Sequence, residues 1–245
     1  MSADTKLEVT RIADGLWRWT APHPEWTPEK DKPGGWGRMV GAVYSEPPAG
    51  SSDPVVLIDP IAPPEGSPEA EKFWAALDRD LERAGRPVAV LIGNGYHLRS
   101  ARDVERRYAG RYGVTIHAHG GSVARLGFEP AGLFGPGPAL VAGVDALPIE
   151  ALDEGETAFF IRSRRVLVFA DAVLGAGGGR LAVAPPSWAP EGETARARYH
   201  ERFRASIGRL VDLDPAIVLP SHGEPALERG RDALAAAVAG PAWGE

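Results

Sequence analysis

Three apolar stretches of this sequence each run into a polar residue able to do chemistry. Val90–Leu91–Ile92 leads to Gly93–Asn94–Gly95–Tyr96–His97, Val166–Leu167–Val168–Phe169–Ala170 to Asp171, and Ile217–Val218–Leu219–Pro220 to Ser221–His222–Gly223. In layered α/β proteins, ligands gather just beyond strand ends, where loops from neighbouring strands converge. Two imidazoles and one carboxylate meeting there would suit one zinc or iron ion with positions left open for water. Such an ion lowers the pKa of its bound water toward neutrality. The same residues also support a plainer reading. Asp171 caps a turn, the imidazoles satisfy backbone carbonyls or each other, and no metal is bound. In a metal-free catalyst, Tyr96 and His97 would be the acid and base.

The elements that must position these residues can be read from hydrophobic periodicity. Leu7–Ile12 alternates as a strand, and Leu16–Trp19 follows a turn at Asp14–Gly15. Met39–Tyr44, Val55–Ile58, Val88–Ile92 and Val114–Ala118 are further strands, and near-continuous apolar strands are those covered on both faces. Ser67 and Pro68 begin a helix whose buried stripe is Phe73, Trp74, Leu77 and Leu81, and which ends at Gly85. A second helix runs from Ser100 to Tyr108. In the second half, Thr157–Ile161 and Val166–Phe169 form a hairpin around Ser163–Arg164. A long helix covers Glu193 to Val211, Ile217–Leu219 is a short buried strand, and Leu227 to Val238 is the last helix. The Gly/Pro-rich passage Gly127–Pro138 reads as a connection within one domain spanning residues 1–245. Strand–helix–strand order with buried strands places helices on both sides of sheet.

Composition narrows the function classes. The net charge of -6, with arginines interspersed among acids, argues against a nucleic-acid partner. No cysteine is present, which excludes thiolate metal ligands and a cysteine nucleophile. Met1–Arg11 is polar and unlike a signal peptide, and no apolar run is long enough to span a membrane. The expectation is a cytoplasmic protein acting on a small molecule, with no membrane partner.

Leu57–Ile58–Asp59–Pro60, the segment after Ile92, Phe169–Ala170–Asp171 and Ser221–His222–Gly223–Glu224 occur in the order found in the metallo-β-lactamase superfamily. The likeness covers most of the chain. It is greatest to divergent members whose first motif reads His-x-Arg-Ser/Asp-Ala, here His97–Leu98–Arg99–Ser100–Ala101. The resemblance implies an α/β fold, a four-layer αβ/βα sandwich, and hydrolysis of thioesters, lactams, lactones or phosphoesters. Most members bind two metals through His-x-His-x-Asp-His, and this sequence departs from that pattern. With the last His on His97, Ile92 and Asn94 stand where the first two belong, and Tyr96 replaces the Asp. The middle His falls near Leu152, and no His lies between His119 and His200. His97, Asp171 and His222 are what the resemblance leaves of the second metal's ligands.

Other residues are secondary. His23, Trp26 and Trp36 lie in a Pro/Gly/Trp-rich loop, residues 21–37, of the kind that often covers a site, and Trp188 is a candidate further wall. Arg99 could hold a substrate carboxylate or pair with Asp103. His117 and His119 share one strand face and read as surface or packing residues. Ser221 beside His222 lacks an orienting acid, which argues against a serine hydrolase. Two functions follow. One is a hydrolase-like enzyme for a small ester, thioester or lactone-like substrate, with Asn94 or Tyr96 stabilising the oxyanion. The other is an inactive pseudo-enzyme, a binding or regulatory module that keeps the pocket.

Overall fold

The structure is a computed structural model describing residues 6–245 except Pro33 and Glu154. Seven strands form the first sheet in chain order: β1 (Glu8–Ala13), β2 (Leu16–Pro22), β3 (Met39–Ser45), β4 (Val55–Ile58), β5 (Val88–Ile92), β6 (Val114–His119) and β7 (Gly132–Phe134). β1 to β4 pair antiparallel, and β4 to β7 pair parallel. The change of direction falls where helical crossovers replace hairpins. α1 (Pro68–Ala84) joins β4 to β5, and α2 (Ala101–Tyr112) joins β5 to β6. The short helix α3 (Val123–Leu126) precedes β7.

The second sheet is built from β8 (Ala139–Val141), β9 (Val144–Pro148), β10 (Thr157–Ile161), β11 (Val166–Phe169) and β14 (Ile217–Pro220). Its order is β14-β11-β10-β9-β8. β11 and β14 pair parallel, with Phe169 opposite Pro220, so both strands end at the same rim. A separate ribbon pairs β12 (Val173–Gly175) with β13 (Leu181–Val183). The remaining helices are α4 (Glu193–Arg198), α5 (Arg204–Gly208) and α6 (Gly230–Ala239).

Three apolar layers hold these elements in four. α1 and α2 bury Phe73, Leu77, Leu81, Val104 and Tyr108 against one face of the first sheet. The other face of that sheet meets the second sheet through Val56, Ile58, Ala89 and Leu91 against Phe159, Ile161, Val166 and Val168. The far face of the second sheet packs Phe160, Leu167, Phe169 and Val218 under Tyr199, Phe203, Ile207 and Leu234. The protein is therefore a four-layer αβ/βα sandwich. Alternate residues of one strand serve different layers, and this explains why β5, β10 and β11 read as unbroken apolar runs. Burying each large side chain contributes roughly 1.5–3 kcal/mol before entropy is counted.

Local signals set the helix ends. The Ser67 hydroxyl accepts from the Ala70 N–H at the start of α1, and Gly85 closes the helix at φ 59. Details differ from the sequence reading. The Gly127–Pro138 connection contains the edge strand β7, whose three residues are too few to show a period. The long helix is continuous in direction but mixed in type, with a π turn at Tyr199–Phe203 between α4 and α5 and a 3-10 turn at Arg209–Leu213. The last helix starts at Gly230, because Arg229 adopts φ 51.

Candidate functional site

The rims of both sheets meet at the C-terminal ends of β4, β5, β11 and β14. Beyond β4, Asp59 takes a left-handed backbone at φ 48, which turns its carboxylate toward the loop after β5. One oxygen accepts from the Gly93 N–H at 2.7 Å, and the other lies 2.8 Å from His97 Nδ1. Gly93 also joins the two sheets, since its carbonyl accepts from the Thr157 N–H at 2.8 Å. A β-carbon on Gly93 would lie 2.7 Å from the Ala170 methyl and 2.9 Å from Asp59 Oδ2, so this crossing of loops requires glycine. Beyond β14, the Ser221 carbonyl accepts from Gly41 N–H at 2.6 Å and the His222 carbonyl from Gly175 N–H at 2.8 Å, which fixes the last loop.

These loops bring His97, Asp171 and His222 together. One ligand atom from each lies within 4.8 Å of the others. Asp171 Oδ1 is 3.2 Å from Nε2 of both imidazoles, and among the described residues it makes no hydrogen bond. A zinc ion held through bonds of about 2.0–2.1 Å at tetrahedral angles would separate its ligand atoms by roughly 3.3 Å. The donor set and its spacing therefore fit one metal ion. Asp59 supplies the outer partner that such a histidine ligand usually has, whereas His222 Nδ1 is buried without a partner.

The neighbouring half of the site is closed. Asn94 donates from Nδ2 to Glu156 Oε2 at 2.9 Å and to Asp171 Oδ2 at 2.8 Å. The other Glu156 oxygen accepts from the N–H groups of Asp171 and Ala172, both at 2.8 Å. Ile92 and Leu152 are both buried, and Leu152 lines the cavity together with Asn94 and Glu156. Burial, reinforced by the Asp171 charge, pushes the Glu156 carboxyl up to about 8. Burial works against ionisation of Asp171 too, but His97 and His222 outweigh it and hold Asp171 well below the usual carboxylate range.

Arg99 completes the arrangement from behind. Its Nη1 donates to the carbonyls of Gly41 and Asp59 at 3.0 and 3.3 Å, and its Nη2 to Ser221 Oγ at 2.7 Å. Nη2 also lies 3.0 Å from His97 Nε2. Burial and this guanidinium disfavour a charged His97 ring, Asp171 and Asp59 favour it, and the balance lies at about 9. The hydrogen bonds point the other way. A protonated Nε2 would face the Arg99 donor, and Asp171 Oδ1 accepts nothing from it. These contacts suit a neutral ring with its proton on Nδ1, toward Asp59, and its Nε2 lone pair toward Arg99. Burial pushes His222 below its ordinary value.

A cavity of about 310 Å³ opens above the three residues, and its walls include His23, Lys30, Trp36, Tyr96, Leu152 and Trp188. Trp36 and Trp188 flank the His222 ring at centroid distances of 5.4 and 6.1 Å. Burial, then the nearby Arg99, His97, His222 and Lys30, lower His23 to about 4. A larger groove of about 770 Å³ lies elsewhere, and its Arg11 and Arg83 pair with its own Asp14 and Glu46.

The structure thus brings Asn94, Tyr96, His97, Asp171, His222, His23, Trp36 and Trp188 to one cavity. Trp26 and Arg99 do not line it. The Trp26 ring lies beside the Arg38 guanidinium, 5.8 Å away, and Arg99 is spent on internal acceptors instead of a substrate or Asp103. Both Asn94 donor hydrogens are also spent, so that side chain is not an oxyanion donor. Ser221 Oγ is held by Arg99 and the Gly41 carbonyl, which leaves no serine–histidine pair. Asp59 and Glu156 were missed as site residues. Asp59 carried a usable signal, since it too follows a buried apolar strand directly. Glu156 precedes its strand, where the strand-end rule says nothing.

Solved structures similar to the chain include metallo-β-lactamases, and the chain has the metallo-β-lactamase fold. It matches a metallo-β-lactamase from Hirschia baltica with a TM-score of 0.62 at 16% identity, over 95% of this chain and 96% of that one. One from Pontibacter korlensis matches with a TM-score of 0.62 at 15% identity, over 96% and 100%. The enzyme FIM-1 from Pseudomonas aeruginosa, in its mono-zinc form, matches with a TM-score of 0.58 at 12% identity, over 96% of each chain. No protein-family model and no curated protein sequence matches the chain. Among the described residues, no helix is long and apolar enough to cross a membrane.

Proposed function

We propose that the chain is a divergent metallo-hydrolase-like enzyme with a single-metal site at His97, Asp171 and His222. Its substrate would be small and partly apolar, with an ester, thioester or lactone-like bond. The observation that carries this reading is the convergence of three ligand atoms at metal-compatible spacing, with Asp171 Oδ1 lacking any hydrogen bond, under an aromatic-walled cavity. A bound zinc or iron ion supplies Lewis acidity and a water that ionises near neutral pH. The protein's own residues do the rest. Asp59 fixes the His97 ring through Nδ1. Asn94 orients Asp171 by holding its outer oxygen. Trp36 and Trp188 exclude water around His222 and offer apolar surface to the substrate. Of the two oxyanion candidates Asn94 and Tyr96, Tyr96, half-exposed at the mouth, is the one whose donor is unspent.

A second reading is favoured by one observation. The Arg99 guanidinium faces the His97 lone pair that a metal would use. On that reading the chain is a metal-free binding or regulatory module. Elemental analysis of the purified protein, with hydrolysis assays on aryl esters, thioesters and lactones, separates the two. The enzyme reading expects about one metal per chain, lost together with hydrolysis in His222→Ala. Absence of metal, with no thermal stabilisation by added zinc or ferrous iron, would overturn it.

A further inference from the structure

Arg99 is a partly buried cation beside the ligand atoms of the candidate metal site, and the proposed chemistry gives it no part. Its backbone lies in the left-handed region at φ 38, a conformation that costs a non-glycine residue energy and that gathers at functional sites. This turn directs the side chain inward, away from Asp103. The fork then ties four segments together: Gly41 on β3, Asp59 beyond β4, His97 beyond β5 and Ser221 beyond β14. These are the segments that set the ligand geometry.

The contact with His97 is the informative one. With Nδ1 directed at Asp59, the ring has one lone pair, on Nε2, and Arg99 Nη2 lies 3.0 Å from it. A metal ion and an N–H donor cannot share that lone pair. The guanidinium also brings a full positive charge next to the position of a divalent cation, in a setting with little water to screen it. In the metal-free protein the same charge balances the Asp59 and Asp171 carboxylates.

We propose that Arg99 is an internal counter-cation that competes with metal for His97, so that metal binds only when the guanidinium gives up Nε2 and stays with Ser221 and the two carbonyls. Arg99 is then a residue that sets metal affinity, keeping it weak and making occupancy responsive to metal supply. The inference rests on the metal reading of the site. It predicts that Arg99→Gln binds Zn²⁺ more tightly than the wild type by about 10- to 100-fold, the range typical of changes around a ligand shell.

The test is a Zn²⁺ titration of the wild type, Arg99→Gln and Arg99→Lys in competition with a chromophoric chelator, with thermal melts of each protein with and without Zn²⁺. Arg99→Gln should melt lower without metal and gain more from Zn²⁺, with Arg99→Lys between it and the wild type. In the wild type, Zn²⁺ should also shift the arginine side-chain ¹⁵N resonance that is absent from Arg99→Lys. If Arg99→Gln does not fold, Arg99→Lys and the resonance shift decide the question. Equal affinities, or an unmoved resonance at saturation, would overturn the inference and leave the metal reading standing. Binding by Arg99→Gln alone would support the inference and remove the wild-type metal enzyme. Folded proteins that all ignore Zn²⁺ would overturn both.

Discussion

The two halves of the cavity floor differ in how their polar atoms are satisfied. On the side of Asn94 and Glu156, the polar side-chain atoms all have hydrogen-bond partners, and buried Leu152 adds an apolar wall. On the side of His97, Asp171 and His222, Asp171 Oδ1 and His222 Nδ1 are buried without hydrogen bonds among the described residues. A buried polar atom without a partner costs about 1–3 kcal/mol, so its persistence calls for something that uses it. The first half has become structure. The second keeps the capacity to bind.

That contrast can be broken or sharpened by mutation. The largest effect is expected from Asp59→Ala, which leaves the Gly93 N–H and His97 Nδ1 unpartnered in a buried site. A loss of about 3–5 kcal/mol in urea unfolding, together with loss of metal retention, would show that the open half depends on this one support. Leu152→Ala removes packing on the closed half and should cost about 2–4 kcal/mol. It should leave the zinc stoichiometry unchanged, and loss of zinc from this variant would dissolve the distinction between the halves.

Smaller effects concern the cover over the open half. Trp188 Nε1 donates to the Gly34 carbonyl at 2.8 Å, and Trp243 Nε1 to the Gly35 carbonyl at 2.7 Å, so two distant segments hold the 21–37 loop in place. Trp188→Phe should cost about 1 kcal/mol and speed amide exchange in that loop, with the melting of β10 and β11 little changed. His23 should give the smallest signal. Its folded pKa of about 4 lies below the ordinary 6.5, so the unfolded chain takes up the proton first as pH falls. The contribution is fully present above about pH 6.5 and is lost as pH falls from there toward 4. His23→Gln should flatten the pH dependence of the melting temperature in that window, and an unchanged slope would show that His23 is not buried as described.

Much of this architecture was legible residue by residue. The apolar runs of β4, β5, β10, β11 and β14 announced strands covered on both faces, and Ser67, Pro68 and Gly85 marked the ends of α1. The strands β7, β8, β12 and β13 were not legible, because three residues carry no usable period. At the site, the strand-end pattern singled out His97, Asp171 and His222 without coordinates. The same pattern marks Asp59, whose contacts with Gly93 and His97 only the folded structure shows.

The sequence by itself determined that three chemically able residues follow buried strands and that no cysteine takes part. Those statements depend only on residue type, order and local periodicity, whereas the reading of Ile92, Asn94 and Leu152 as positions of a fuller metal motif is what the resemblance to a family implies. Tertiary structure alone decided that Arg99 turns inward instead of toward a substrate, that Asn94 spends its donors between two carboxylates, and that Trp26 faces away from the cavity. The first two are choices among hydrogen-bond partners far apart in sequence, and the third sets the Trp26 ring beside Arg38. Such choices are settled by which strand ends the packed sheets bring together, and no local pattern encodes them.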